Sequence, residues 1–427
     1  MPEPEGTPAE VWRSSEEKAL LSGSFSSARH FSSTATAPSP APNPEMSDSP
    51  AAGRGELSGA GGGETPAAGR GELSGAGRGE TPAAGRGETP GAGTEETSGR
   101  GDEASGEWPR LRALVPFGGG IDSIVTVEQV RARAEVKLFV VSRPGDTYDA
   151  IEQPAAVANL PIIRAEREID PQLLRSAEHG FLNGHVPVTG IISAIAILAA
   201  VLEGSDAVVM SNEWSASIPT LEFNGTKVNH QYSKSEEFER GFKTVLAQTT
   251  EPLPEYFSWL RDRTELWVGR EFANLEKYHS TFRSCNKAFY SDKNRRLDHW
   301  CGQCDKCCFI DLILAPFLSA EALARIFAVT GEPLRQPGLR AKFRSLLGAG
   351  AKPFECVGEV TECRAAALLA AQRADRADRA DRADRTGNQL LHELAAEIKS
   401  WPDAPTAAEA ERMLRPVGKT FVPDRYR

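Results

Sequence analysis

Three groups of residues in this 427-residue chain have types and spacings that could do chemistry. The first is Gly118-Gly119-Gly120-Ile121-Asp122-Ser123. Glycine lets a backbone take unusual dihedrals and approach a ligand closely, and the free amides and dipole at a helix start favour an anion. That is the chemistry of a phosphate cradle. No lysine follows the glycines as a Walker loop requires, and the Gly-x-Gly-x-x-Gly spacing of a dinucleotide turn is absent. The alternative is a glycine-rich turn without a ligand. The second group is Cys285 with Cys301, Cys304 and Cys307, four thiols at a spacing that suits tetrahedral zinc. A reduced cluster without metal and a redox pair are the alternatives. Cys308 is left over, to pack or to act as an acid or base, and His279, Arg283, Asn286 and His299 add polar candidates nearby. The third group is Ser211-Asn212-Glu213-Trp214-Ser215-Ala216-Ser217, with donors, a stacking surface and, in Glu213, an acid or base. A solvated loop with Trp214 capping the core reads equally well.

The elements that must position these groups follow from the apolar pattern. Leu111 to Phe117 reads as a buried strand, and Ile121 to Arg133 as a helix. Val136–Ser142 is a second strand, followed by the turn Arg143-Pro144-Gly145-Asp146. Tyr148 to Ala158 suits a helix interrupted at Pro154, Leu160–Arg164 a strand, and residues 171–182 a helix. A Val188–Leu202 helix and an Asp206–Met210 strand come next. Strands apolar on both faces and alternating with helices predict an α/β fold, a parallel sheet with helices on each side. Ligands of such sheets bind beyond the carboxyl ends of the strands, which brings the glycine turn, the loop after Ser142 and the 211–217 loop together. Residues 219–232 read as a hairpin turning at Asn224-Gly225, and Ser233 to Leu246 as a helix. Lys227, His230, Lys234 and Arg240 offer positive charge for an anionic substrate, or are surface residues. Helix is expected from Phe309, through Ser319–Phe327, over most of 335–371, and in Leu390–Ile398 and Ala407–Leu414. The Arg-Ala-Asp repeat from Arg373 to Asp384 suits an exposed helical extension or linker.

Composition sets the outer limits. Residues 1–107 are rich in Gly, Pro, Ala, Ser, Glu and Arg, and a near-exact unit, Ala51 to Pro66, recurs as Ala67 to Pro82. Such a tract cannot bury a core and reads as disordered low-complexity sequence, with Met46 offering a later start. Residues 108–330 are expected to form the α/β catalytic domain, and 331–427 a mainly helical C-terminal region. The formal charge of −10 argues against broad electrostatic binding to nucleic acid. No signal peptide is visible, and the Val186–Leu202 stretch suits a buried helix better than a membrane span. A soluble, cytoplasmic protein with no membrane partner is the expectation. Seven cysteines without an export signal do not suggest a disulfide scaffold.

With these residues in view, Gly118 to Ser123 resembles the Ser-Gly-Gly-x-Asp-Ser signature of PP-loop ATP pyrophosphatases, with Gly118 standing where that family has its first serine. The resemblance implies that ATP binds at Gly118, Gly119, Gly120, Asp122 and Ser123 and is split to AMP and diphosphate. Cys301-Gly302-Gln303-Cys304-Asp305-Lys306-Cys307 matches the zinc-binding end of the QueC-type deazaguanine-forming synthases. Residues 117–128, 211–217 and 299–317 are similar to the MurL-type enzymes of bacterial cell-wall synthesis. That resemblance implies Mg-ATP-dependent epimerisation of the terminal L-glutamate of UDP-N-acetylmuramoyl-L-alanyl-L-glutamate, through adenylation of its α-carboxylate. An epimerase needs one group on each face of the α-carbon. Glu213, His230, His279, His299 and Cys308 are the candidates, and Zn²⁺ on the four cysteines is a structural expectation. A PP-loop amidating ligase and a non-catalytic nucleotide-binding zinc scaffold are the alternative functions. The number and arrangement of subunits is not fixed by the sequence.

Overall fold

The computed structural model describes residues 111–181, 187–353, 355–381 and 388–427, with backbone alone for 377–381. The low-complexity tract and the end of the Arg-Ala-Asp repeat lie outside the described residues. Five strands, β1 (Leu111–Pro116), β2 (Ala134–Ser142), β3 (Ile162–Glu166), β4 (Ala207–Met210) and β7 (Glu255–Ser258), form one sheet in the order β3-β2-β1-β4-β7. Every pairing in it is parallel. A two-stranded hairpin, β5 (Leu221–Phe223) and β6 (Thr226–Val228), stands apart from it. Its turn has Asn224 at φ 48° and Gly225 at φ 73°, as an Asn-Gly hairpin requires.

The helices are α1 (Ile121–Val130), α2 (Asp149–Ala158), α3 (Pro171–Leu174), α4 (Val188–Leu202), α5 (Glu236–Leu246), α6 (Glu265–Ala273), α7 (Asp305–Leu314), α8 (Ala320–Ile326), α9 (Arg340–Leu346), α10 (Val360–Asp381), α11 (Gln389–Lys399) and α12 (Ala407–Arg412). Side chains alternate across the sheet, so Ala113 and Val115 of β1 enter one core and Leu114 the other. The larger core holds α1, α2, α6, α7 and the C-terminal helices, and the smaller lies under α4 and α5. The parallel α/β architecture with a helical C-terminal part is therefore the one the apolar runs implied. Among the described residues no helix is long and apolar enough to cross a membrane.

Several boundaries differ from the sequence reading. Helix α2 runs unbroken through Pro154, and α3 is a single turn rather than a helix over 171–182. The helix expected from Ser233 starts at Glu236, because Ser235 caps it by accepting the Phe238 amide. Strand β7 and helix α6 fall in a stretch where no element was anticipated.

Candidate active site at the carboxyl end of the sheet

Strand order reverses between β1 and β4, so the glycine turn and the 211–217 loop flank the point where open α/β sheets bind ligands. At the turn, Gly119 has φ +74°, and a Cβ there would lie 2.1 Å from the carbonyl oxygen of Ala150. That carbonyl stands four residues before Pro154, which has no N–H to claim it, so the helical proline leaves an oxygen for the glycine to seat against. A Cβ on Gly118 would meet nothing within 4 Å, so the turn is open on its outer side. Gly120 begins α1 with no side-chain cap, and Ser123 Oγ donates to the Gly120 carbonyl at 3.0 Å. The first amides of α1 are thus left for a ligand, and an anion such as a phosphate fits both the open glycines and the helix dipole. Asp122 Oδ1 lies against Gly120, 2.7 Å from where a Cβ would sit.

The loop after β4 is fixed by a residue from the loop after β7. Arg261 is 1 % exposed and uses its whole guanidinium. Nε donates to Glu239 Oε2 at 2.9 Å, Nη1 to the Glu213 carbonyl at 3.0 Å, and Nη2 to the Lys234 carbonyl at 2.7 Å. Glu239 spends its other oxygen on the Ser258 amide at 2.9 Å. One buried ion pair therefore sets the backbones of Glu213 and Lys234 relative to each other.

The side chains so placed are not compensated in the same way. Glu213 is 3 % exposed, and its Oε2 has no hydrogen-bond partner. Burial alone would lower the Lys234 ammonium, but the Cys356 thiol and the carboxylates of Glu213, Asp122 and Glu265 reverse this and hold it above the usual lysine range. Burial, with Glu213 next, pushes Glu265 well above the carboxylate range. Glu362 accepts the Glu265 amide at 2.8 Å at the start of α6, while its Oε1 has no partner. Burial, then the Glu359 and Glu213 charges, push Glu362 up to about 8. Ser211 Oγ, Ser215 Oγ and Gln231 Oε1 are further buried atoms without partners. Buried polar groups normally find partners, so these atoms are candidates for contact with a ligand or with ordered water.

The four cysteines meet. The Sγ atoms of Cys285, Cys301, Cys304 and Cys307 all lie within 4.8 Å of one another. Cys307 Sγ is 3.6 Å from that of Cys301 and 3.4 Å from that of Cys304, close to the ~3.8 Å between thiolates around tetrahedral zinc. The Cys304 amide points at Cys301 Sγ at 3.4 Å, in a knuckle that turns on Gly302 at φ +64°. The soft donor set and its spacing fit a zinc ion. The cluster also ties the site together. Ser284, beside Cys285, lies near Gly120, and Asn286 Nδ2 donates to Glu355 Oε2 at 2.9 Å. Lys306, inside the knuckle, donates to the Cys356 carbonyl.

His230 is buried at the foot of the hairpin with Nδ1 against Thr220 Oγ1. His279 sets Nε2 3.2 Å from the Phe272 carbonyl; its neighbour Tyr278 bonds Glu128, at the end of α1 away from Asp122. His299 pairs with the exposed Asp298 at 2.7 Å. Cys308 is buried in α7, and burial pushes its thiol up to about 12, which suits packing rather than proton transfer. Lys227 is exposed on β6, and Arg240 pairs with Glu236 and lies over Phe421. The C-terminal tail runs along β7, from Val417 N on the Asp262 carbonyl at 2.9 Å to Arg425 on Glu255 at 2.8 Å. Gly418 abuts Trp214 on the way, and Tyr426 packs against Phe257. Arg261, Glu239, Glu265, Glu362 and Cys356 were not singled out from the sequence, where nothing separates them from solvated charges or a packed thiol.

Comparison with known proteins adds the following. Residues 79–259 match the MurL N-terminal domain and residues 281–403 the MurL C-terminal domain, between them more than two thirds of the chain. The chain is 38 % identical over 316 residues to the UDP-N-acetyl-alpha-D-muramoyl-L-alanyl-L-glutamate epimerase of Salinispora tropica, covering 74 % of this chain and 65 % of that protein. Identity to the protein of the same name from Micromonospora sp. is 41 %, over 62 % of this chain and 58 % of that one. For the one from Xanthomonas oryzae pv. oryzae it is 40 %, again over 62 % and 58 %. The matched region thus spans less than two thirds of the length of these relatives. Among solved structures, the U34-tRNA thiolase NcsA from Methanococcus maripaludis with its 4Fe-4S cluster overlaps 41 % of this chain and 59 % of its own, at 11 % identity and a TM-score of 0.26. That overlap is too slight to carry an inference.

Proposed function

The chain belongs to the MurL family, and from that premise we propose that it epimerises the terminal L-glutamate of UDP-N-acetylmuramoyl-L-alanyl-L-glutamate to the D form, using ATP, as a step of peptidoglycan synthesis. The observation that carries this reading is the convergence, at one end of the sheet, of an open anion cradle and a buried group of under-compensated carboxylates around Lys234.

The chemistry is consistent with that convergence. A carboxylate resists removal of its α-proton, because enolisation would add charge to a group already negative. When bound, ATP supplies the adenylyl group that masks this charge. The amides at Gly119, Gly120 and the first turn of α1 gather the phosphates, and Asp122 is the carboxylate best set to hold Mg²⁺ beside them. Lys234 offers its ammonium to the anionic glutamyl end of the substrate. Glu213, buried beside it with an unpartnered oxygen, is a group that holds or moves a proton at the α-carbon. Zn²⁺ on the four cysteines would fasten the cradle to the 355–358 loop and take no part in the proton steps.

The test is direct. Purified protein is incubated with Mg-ATP and the UDP-muramoyl dipeptide in deuterated water, and AMP, α-deuterium and D-glutamate after acid hydrolysis are measured. All three together are expected. AMP without α-deuterium would instead identify an enzyme that activates the carboxylate and passes it to another acceptor, such as ammonia. No AMP at all would leave the chain a nucleotide-binding scaffold.

A further inference from the structure

We propose that a recess beyond the ends of β2 and β3 seats a phosphate of the nucleoside diphosphate carried by the substrate; this rests on the epimerase reading above. The recess measures about 60 Å³, room for a group of a few heavy atoms. Ser142 closes β2 and Arg143 follows it, while Arg167 and Ile169 follow β3. Val141, Tyr148 and Ser291 complete the walls. The recess thus presents two guanidiniums and three hydroxyls, and no carboxylate is among its lining residues. Such a set offers positive charge and hydrogen-bond donors together, which is what a phosphate takes up.

The chain itself leaves these donors unspent. Arg143 is fixed by Nη2, which donates to Asp146 Oδ2 at 2.7 Å and to the Ser291 carbonyl at 2.6 Å, while its Nη1 has no partner among the described residues. Arg167 is half-buried, and its amide donates to the Ser142 carbonyl at 2.7 Å, which holds the backbone beside the recess. Among the described residues, the Arg167 guanidinium and the hydroxyls of Ser142, Tyr148 and Ser291 make no hydrogen bond or ion pair. The nearby carboxylates are engaged elsewhere. Asp146 is shared by Arg143, Arg296 and Lys293, and Glu166 Oε1 accepts the Gly145 amide at 3.3 Å. Glu168, next to Arg167 but one, is exposed and forms no ion pair with it. Arg167 therefore keeps its charge for something outside the chain.

Position favours the substrate as the source of that phosphate. The recess lies at the same end of the sheet as the cradle: Tyr148 precedes α2, and Ala150 within α2 seats Gly119. Ser284 lies near Gly120, and Ser291 follows along the same segment. In the sheet, β2 and β1 stand between the recess and β4. Neighbouring strands lie about 4.8 Å apart, so roughly 12 Å separates the recess from the loop after β4 that carries Glu213. In the dipeptide nucleotide, two amide units of about 3.8 Å each, a lactyl ether and one sugar ring separate the glutamyl α-carbon from the first phosphate. That reach is enough to span the gap. The substrate would then lie across the mouth of the sheet, its glutamyl end at β4 and its nucleotide end at β2 and β3.

The experiment compares the full chain with its Arg167→Ala variant. Each is given Mg-ATP and either the UDP-muramoyl dipeptide or the same N-acetylmuramoyl dipeptide without its UDP. The variant is expected to raise KM for the UDP-linked substrate about 10–100-fold, with kcat and the KM for ATP within about twofold of wild type. The substrate without UDP should be used equally by both proteins. An equal loss on both substrates would show that Arg167 acts through the fold and would overturn the proposal. A raised KM for ATP instead would give the recess to ATP and overturn it as well, as would no change in any constant. Should the variant fail to fold, modification of wild-type arginines by phenylglyoxal decides. UDP alone, and not ATP, is expected to slow modification of Arg167, mapped by mass spectrometry, at least about fivefold. Modification unchanged by UDP overturns the proposal. Protection by UDP in a wild-type protein that incorporates no α-deuterium would defeat the epimerase reading and leave the recess as a nucleoside diphosphate site.

Discussion

Two sets of carboxylates stand at the same end of the sheet, and their surroundings are opposite. After β2, Asp146 is 4 % exposed and is gripped by Arg296 and Arg143, each at 2.7 Å, with Lys293 at 3.5 Å. The Arg296 hydrogen bonds come first in holding its carboxyl below the usual range. After β4 and in the C-terminal part, Glu213, Asp122 and Glu265 act on the Lys234 ammonium, Lys306 offsets the burial of Glu265 in part, and Glu213 and Glu362 each keep an oxygen without a partner. The first set is finished as it stands, and it anchors the 143–147 turn to the 290–296 segment. The second leaves buried oxygens open to a ligand or to water. Burial alone does not distinguish scaffold from site; the balance of partners does.

The comparison can be broken at several points. The largest effect is expected for Glu213→Gln. It should lower epimerisation about 10²–10⁴-fold and leave the denaturation midpoint unchanged or higher, since the buried Oε2 has no hydrogen bond to lose. A loss of stability with activity intact would put Glu213 in the scaffold. Arg261→Met strips the partner from buried Glu239 and should cost about 3–5 kcal/mol in urea unfolding. A cost below about 1 kcal/mol would mean that the Arg261–Glu239 pair does not hold the two loops.

The pH dependence of unfolding separates the two sets by sign. Asp146, held low in the folded chain, contributes stability above its ordinary value of about 3.9, lost as pH falls through its folded value. Glu362, pushed up to about 8, contributes stability below its ordinary value of about 4.3, lost as pH rises towards 8. Melting curves from pH 1 to 9 should therefore show Asp146→Asn flattening the acid limb below about 3.9 and Glu362→Gln flattening the decline between about 4.3 and 8. The same limb responding to both variants would contradict the contrast. The smallest effect is expected for the exposed Arg425–Glu255 pair at the foot of β7, where Arg425→Ala should change stability by about 0–1 kcal/mol.

What could be read from the sequence was whatever a continuous apolar run announces. Strands β1, β2 and β4 and the helix Val188–Leu202 were legible because both faces of each strand, or one whole helix, are apolar, and three glycines mark the turn between β1 and α1. Strand β7 was not, because Glu255-Tyr256-Phe257-Ser258 is short and preceded by Pro252 and Pro254. The cysteine knuckle was legible from local spacing alone. The carboxylate group was not, since Glu213, Glu265 and Glu362 come together only through long-range packing. Arg261 in Trp259-Leu260-Arg261-Asp262-Arg263 is likewise indistinguishable from the half-buried arginine two residues on until Glu239 is brought against it. Local pattern carries secondary structure; partner balance is a tertiary property.

The contact between Gly119 and the Ala150 carbonyl bears on how this chain can be altered. A screen for thermal stability would replace the proline inside α2 early, because alanine is the better helix former by about 3 kcal/mol. Here that exchange returns an N–H to position 154, pulls the Ala150 oxygen back into its own helix and closes the seat on which the left-handed glycine rests. Positions 119 and 154 thus form one unit of inheritance. A variant library that samples them separately would discard, as a flaw in a helix, a support of the glycine turn 35 residues away.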